Sequence, residues 1–146
     1  MNPAQPCADV PEILSMIKEL AVFEESLDKV EATEQSLLNT LCFDTNSSGP
    51  FTHGYAKTFI LVAPEGEVAG MALWFHNYST WTSRPGIYLE DLFVRDKYRR
   101  RGYASLLLRE LGREVVRSKY VLRDTNLLNE RVADTGVVAD DWNGGV

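Results

Sequence analysis

The sequence predicts an α+β fold: a central, mostly antiparallel sheet flanked by helices, with the C-terminal part of the fold missing or replaced. Three observations carry this prediction. Apolar residues recur at helical spacing up to about residue 41, then change to strand-like runs between Thr58 and Val94. A leucine-rich helical stretch follows. The resulting order, α, α, β, β, β, α, reads as an antiparallel sheet with helices packed against it. With 146 residues, 45% of them apolar, the chain has material for one domain and a real core.

The elements can be justified in order. Asn2–Gln5 with Pro6 looks like the remnant of a first strand. Asp9 and Pro11 suit a helix start, and Ile13, Ile17, Leu20 and Ala21 then form an apolar stripe among the solvated charges Glu12, Lys18 and Glu19. Thr33-Glu34-Gln35-Ser36 opens a shorter helix through Leu37, Leu38 and Leu41. Residues 44–56 are loop by composition. FILVAP and EVAGMALWF are strands joined by a hairpin at Pro64-Glu65-Gly66. NYSTWTSRPG is a longer connection, and a third strand starts at Gly86-Ile87. Arg99–Tyr103 is a turn into a helix over about 104–119, with Leu107, Leu108, Leu111 and Val115 as its apolar stripe. No internal repeat is present. Beyond Tyr120 no period is sustained, so residues 1–119 read as the domain and 120–146 as a poorly ordered tail.

Composition narrows the function. A formal charge of −6 argues against a general nucleic-acid binder, although it suits a cationic substrate. DNA binding through the arginines is correspondingly disfavoured. Cys7 and Cys42 are too few for a disulfide framework. No apolar run reaches the roughly 18 residues of a membrane helix. A soluble, cytoplasmic protein with neither nucleic-acid nor membrane partner is expected.

The chemistry concentrates in residues 88–111, YLEDLFVRDKYRRRGYASLLLREL. Alternation places Tyr88, Glu90, Leu92 and Val94 on one face and Leu89, Asp91 and Phe93 on the other. Both faces are otherwise apolar, so at least one carboxylate should lie in low-dielectric surroundings, where desolvation raises its pKa toward the range of a general base. Carboxylates at a sheet end that simply accept backbone amides are the plainer alternative. Next come Arg99, Arg100 and Arg101, then Gly102, then the small residues Ala104 and Ser105. A glycine turn before a helix N-terminus is an anion cradle, and a diphosphate is its usual guest. The guanidiniums would supplement its backbone donors. A basic surface turn, with arginines solvated or paired with Asp96, is the alternative.

At these residues the chain resembles a known family. Arg99-Arg100-Arg101-Gly102-Tyr103-Ala104 is similar to the Arg/Gln-x-x-Gly-x-Gly/Ala signature of the GNAT N-acetyltransferases. YLEDLFV, IKELAVFEE at 17–25, and the spacing from Trp81 to Asp91 resemble the diamine (spermidine/spermine) branch, over about residues 8–117. The resemblance implies acetyl-CoA as co-substrate, no metal, and a small-molecule amine as partner, a diamine or polyamine among the options. It implies Glu90 as general base, with Asp91 as the adjacent carboxylate of the motif. It also implies that the backbone of Leu92, Phe93 and Val94 pairs with the pantetheine arm. Arg99, Arg100, Arg101, Gly102, Tyr103, Ala104 and Ser105 would form the pyrophosphate turn. Whether two chains assemble as a homodimer stays open.

The resemblance stops near residue 117. Nothing in 118–146 matches the family's next strand or its Asn-x-x-Ala/Ser-x-x-Phe-Tyr motif, and Tyr120 stands in the wrong context for the motif tyrosine. The expectation is that this segment is retained intron followed by frame-shifted coding sequence, because residues 140–146 can be encoded so that a shifted frame reads Arg-Leu-Glu-Trp-Arg-Val. Two hypotheses result: an amine acetyltransferase, or a truncated, inactive domain serving as an interaction module.

Other features carry less. His53 and His76 lack ligand-spaced partners, so no metal site is expected. Asn46-Ser47-Ser48 and Asn77-Tyr78-Ser79 fit the glycosylation pattern by chance. Trp74, Trp81 and Tyr78 are read as core first and amine-pocket lining second, with Trp81 kept as a substrate-binding candidate. Glu24 and Glu25 end the first helix; exposed helix charges are their default, and Glu24 is kept as a candidate for a polyamine's distal ammonium.

Overall fold

The computed structural model describes residues 2–3, 8–43, 53–118 and 121–123. The elements are β1 (Asn2–Pro3), α1 (Val10–Phe23), α2 (Glu34–Thr40), β2 (Lys57–Val62), β3 (Val68–Ser79), β4 (Arg84–Val94), α3 (Tyr103–Ser118) and β5 (Val121–Arg123). Short 3-10 turns lie at Leu27–Lys29 and Asp96–Tyr98. Cys7, the pattern at Asn46 and residues 124–146 lie outside the described residues.

The strands form one sheet in the order β1-β2-β3-β4-β5. Every neighbouring pair is antiparallel except β4 and β5, which run parallel. Two parallel neighbours need a crossover connection, and α3 supplies it. The sheet therefore takes in three residues of the segment that the sequence reads as tail.

Helices cover both faces. Ile13, Met16 and Leu20 of α1 and Leu37 of α2 pack with Ile60, Met71, Leu73 and Phe93. On the opposite face Leu107, Leu108 and Leu111 of α3 pack with Ala72, Trp74, Ile87, Leu89, Leu92 and Val94. Each side chain of these stripes follows the 3.6-residue period that the sequence shows. Burying a leucine or isoleucine of this kind contributes about 1.5–3 kcal/mol, so the two clusters are the main stabilising term.

Local signals decide the element ends. α2 starts with a capping box: Ser36 N–H donates to Thr33 Oγ1 at 3.1 Å, and Thr33 N–H donates to Ser36 Oγ at 2.9 Å. Asp9 occupies the N-cap of α1 without a side-chain cap bond, and the helix begins on Val10 and Pro11 instead. The connection predicted over 77–86 is much shorter. β3 continues to Ser79, which pairs with Arg84, so only residues 80–83 turn. The polar residues His76–Ser79 stay in the ladder because one face of this hairpin end is exposed, and a strand half open to water carries polar side chains freely.

One side-chain cluster fixes α1 along the sheet. The Arg95 guanidinium lies 2.9 Å from Glu12 and 3.0 Å from Glu19, and it donates to the Val68 carbonyl at 3.0 Å. Glu12 and Glu19 are seven residues apart, two turns along the same helix face.

Candidate active site

The register of β3 and β4 locates the first part of the site. From Gly70 opposite Val94 to Leu73 opposite Asp91 the pairing is regular, and then Trp74 faces Leu89. Glu90 is the extra residue of a β-bulge. Alternation restarts around it: Ile87 and Leu89 pack against α3, and so do Leu92 and Val94, whereas Phe93 packs against α1. Counted inward from either side, Glu90 and Asp91 both fall on the α1 face. The expectation that they point to opposite faces fails because strict alternation holds only in a strand without an inserted residue.

The bulge gathers charge. Asp91 is half-buried, and its carboxyl is pushed up to about 6, chiefly by desolvation and then by the negative charges of Glu90 and Glu24. Glu24 is the C-cap residue of α1. Three carboxylates thus act on one region, with Glu90 exposed and Asp91 carrying the burial. Glu25, next along, adopts φ 53°. It closes α1 with Ser26 N–H donating to Ala21 O at 2.8 Å and Glu25 N–H donating to Val22 O at 3.1 Å, a Schellman ending that ordinarily selects glycine.

β4 changes its neighbours at the same place. β5 pairs with Gly86, Ile87 and Tyr88. Among the described residues no strand pairs with Glu90–Val94 on that edge. Among those residues the backbone of Leu92, Phe93 and Val94 has a strand neighbour on the β3 side alone, while their side chains are buried in the two cores.

The turn after β4 ends at a helix start. Arg100 (φ 60°) and Gly102 (φ 76°) lie in the left-handed region, and α3 begins at Tyr103 with Leu106 N–H donating to Gly102 O at 3.1 Å. A Cβ built on Gly102 meets nothing within 4 Å, so the backbone conformation rather than crowding selects glycine there. First-turn amides of a helix have no intrahelical acceptor and suit an anion. The three arginines separate in role. Arg99 donates from Nε to Val94 O at 2.9 Å, pairs with Asp96, and lies over the Phe23 ring at 5.1 Å. Arg101 reaches Glu65 at 3.8 Å and stands over Tyr98 at 5.5 Å. Arg100 is exposed, with no ion-pair or hydrogen-bond partner among the described residues.

The bulged strand with its paired carboxylates and the glycine turn into α3 both lie within the segment that matches a family profile. The profile of the Acetyltransferase (GNAT) family matches residues 19–131. The chain belongs to the GNAT family. It is 35% identical over 107 residues to thialysine N-epsilon-acetyltransferase of Sus scrofa, covering 71% of this chain and 60% of that protein. It is 33% identical to the Mus musculus protein of the same name over 93% of this chain and 72% of the relative. L-ornithine N5-acetyltransferase of Arabidopsis thaliana is 29% identical over 75% of this chain and 64% of its own length. The chain thus spans about three fifths to three quarters of these relatives. Among solved structures, an aminoglycoside acetyltransferase from an uncultured soil metagenomic sample, in complex with sisomicin, superposes with TM-score 0.65 at 12% identity, over 92% of this chain and 82% of that one. At that identity the likeness is one of fold.

Within this GNAT domain the remaining candidates are dispersed. Trp74 is 1% exposed and belongs to the core. Trp81 is 97% exposed at the β3–β4 turn, and Glu90 lies six residues from Arg84, about 20 Å along the strand. The chain does not bring Trp81 to its own carboxylates. Tyr78 is exposed too, its hydroxyl 2.8 Å from Ser83 Oγ. Among the described residues no group of His, Cys, Asp and Glu is arranged to hold a metal ion, and no helix is long and apolar enough to cross a membrane. Sequence reasoning missed Phe23 and Arg95. The acids at 12 and 19 were the available signal for Arg95, but they look like ordinary surface charge.

Proposed function

We propose that the chain is an acetyl-CoA-dependent N-acetyltransferase acting on a primary amine of a small molecule, with diamines and polyamines as first candidates. The observation that carries this reading is the bulge at Glu90. It turns two carboxylates to one face, beside the strand edge that leads to the glycine turn. The curated relatives, which act by name on thialysine and ornithine, support an amine acceptor. Two cysteines in 146 residues suit a reducing, cytoplasmic setting.

The fit to acetyl-CoA rests on two features: the edge at 92–93, which pairs with no strand among the described residues, and the turn at 99–105. Backbone amides of the edge would pair with the pantetheine arm, and the turn amides with Arg100 would hold the diphosphate. Acetyl-CoA supplies an activated thioester carbonyl when bound. The protein's task is then to deliver a neutral amine, since an alkylammonium has no lone pair for attack. Glu24 and Asp91 attract the ammonium by charge. Glu90, exposed at the bulge, takes its proton directly or through one water. An N–H of the β4 edge would donate to the oxygen on which charge develops. The carbon–sulfur bond breaks as the carbon–nitrogen bond forms, and the leaving thiolate takes the second proton of the nitrogen through water. The −6 charge of the chain favours approach of a cationic acceptor over an anionic one.

Calorimetry with acetyl-CoA, followed by mass spectrometry of products from spermidine, 1,3-diaminopropane, ornithine and thialysine, tests the proposal. Micromolar binding and a 42-Da gain (about one acetyl group) on at least one amine are expected. Binding without transfer to any of them would favour a non-catalytic binding domain, and absence of both would remove the reading.

A further inference from the structure

We infer that Arg99 is a positioning residue, which ties the cofactor turn to the end of α1, and that it is not a ligand of the diphosphate. This rests on the proposed acetyl transfer and assigns one arginine of the turn a different task within it. The Arg99 side chain is committed on several sides. Nε donates to the Val94 carbonyl at 2.9 Å, the guanidinium pairs with Asp96, and its Cζ lies 5.1 Å from the Phe23 ring centroid and 5.8 Å from that of Phe93. Phe93 is buried in the α1-side core, whereas Phe23 is 59% exposed, with the guanidinium over its ring. Phe23 is the last residue of α1, and Glu24, the next residue, is one of the two charges acting on Asp91. The connected order is therefore turn, Arg99, Phe23, Glu24, Asp91.

Arg100 contrasts with it. Its backbone is left-handed, its side chain is exposed, and no described group pairs with it. A planar guanidinium can stack on a ring and donate from Nε at once, which an ammonium cannot reproduce. The arrangement thus uses arginine chemistry at 99 for geometry and leaves Arg100 for the anion. One side chain thus ties the cofactor turn to the helix end that carries Glu24.

The test compares Arg99→Gln, Arg99→Lys and Arg100→Gln in the full chain. Hydrogen exchange read by mass spectrometry reports the amides of residues 24–26, which bond to Leu20, Val22 and Ala21 carbonyls. Arg99→Gln should speed their exchange at least fivefold, with Arg99→Lys intermediate and Arg100→Gln at the wild-type rate. Calorimetry should show acetyl-CoA affinity within twofold of wild type for Arg99→Gln and reduced at least fivefold for Arg100→Gln. In steady-state kinetics Arg99→Gln should raise KM for the amine more than fivefold. Unchanged exchange at 24–26 in Arg99→Gln overturns the inference, as does a loss of acetyl-CoA affinity equal to that of Arg100→Gln. The exchange measurement needs no turnover, so a chain that fails to acetylate amines sinks the proposed function while the role of Arg99 is still decided.

Discussion

The two halves of β4 belong to one strand but differ in composition and in their neighbours. From Gly86 to Tyr88 the strand is paired on both sides, by β3 and by β5. Its backbone groups are satisfied within the sheet, and Ile87 is fully buried. From Glu90 to Val94 it is paired with β3 alone among the described residues, and its first two residues are acidic. The difference begins at one inserted residue. A bulge bends and twists a strand locally, so a neighbour in register before it diverges after it. A single extra position thus separates the doubly paired part of β4 from the part that, among the described residues, pairs with β3 alone, and it turns two carboxylates to the α1 face.

The strongest way to break the comparison is to neutralise the bulge residue. Glu90→Gln keeps the shape and removes the base, so kcat should fall by roughly 10²–10⁴ while acetyl-CoA affinity stays within about twofold. Steady-state rates with titrated amine decide it; an undiminished kcat would move the proton-accepting role to Asp91.

Asp91→Asn probes the burial that the bulge imposes. The folded carboxyl holds its proton more tightly than the unfolded one, about 6 against 3.8. The native state therefore binds more protons between these values, and stability falls as pH rises through that window. The asparagine variant should be more stable than wild type at pH 7 by at most about 3 kcal/mol, a gain that vanishes below about pH 4. Urea unfolding at the two pH values reads this directly, and a pH-independent difference would show that packing, not charge, governs the site.

Gly102→Ala sharpens the contrast at the far end of the open half. The Cβ has room but the φ of 76° does not suit it, so a loss of about 1–2 kcal/mol and weaker acetyl-CoA binding are expected. Thermal melts with and without acetyl-CoA separate the two effects.

The smallest effect lies at the end of α1, which faces the open half. Glu25→Gly removes a left-handed penalty of about 1–2 kcal/mol and adds about 0.4–1 kcal/mol of unfolded-state entropy. A net gain of roughly 0.5 kcal/mol should appear as a slightly higher Tm.

Much of this was legible in residues alone. The stripes of α1 and α3, the capping box at Thr33 and the glycine turn at 102 are local patterns, and each formed within a residue or two of its expected place. The carboxylate pair was legible as chemistry but not as geometry: no local signal marks Glu90 rather than its neighbours as the bulge, because the insertion is defined by the register of β3. The parting of the three arginines was also hidden. Their partners, Val94, Phe23 and Glu65, come from three different elements.

The sequence by itself determined the order of elements from α1 to α3, since hydrophobic period and turn chemistry act over a few neighbouring positions, whereas β5 emerged only in the sheet. It also marked the carboxylate pair and the arginine–glycine turn as the candidates for chemistry. Only the tertiary structure decided which face those groups occupy and which part of β4 pairs with β5. It decided as well that Glu24, 67 positions before Asp91, shares its electrostatics. The physical reason is range: side-chain period is local, whereas strand register, burial and charge coupling depend on groups distant in the chain and close in space.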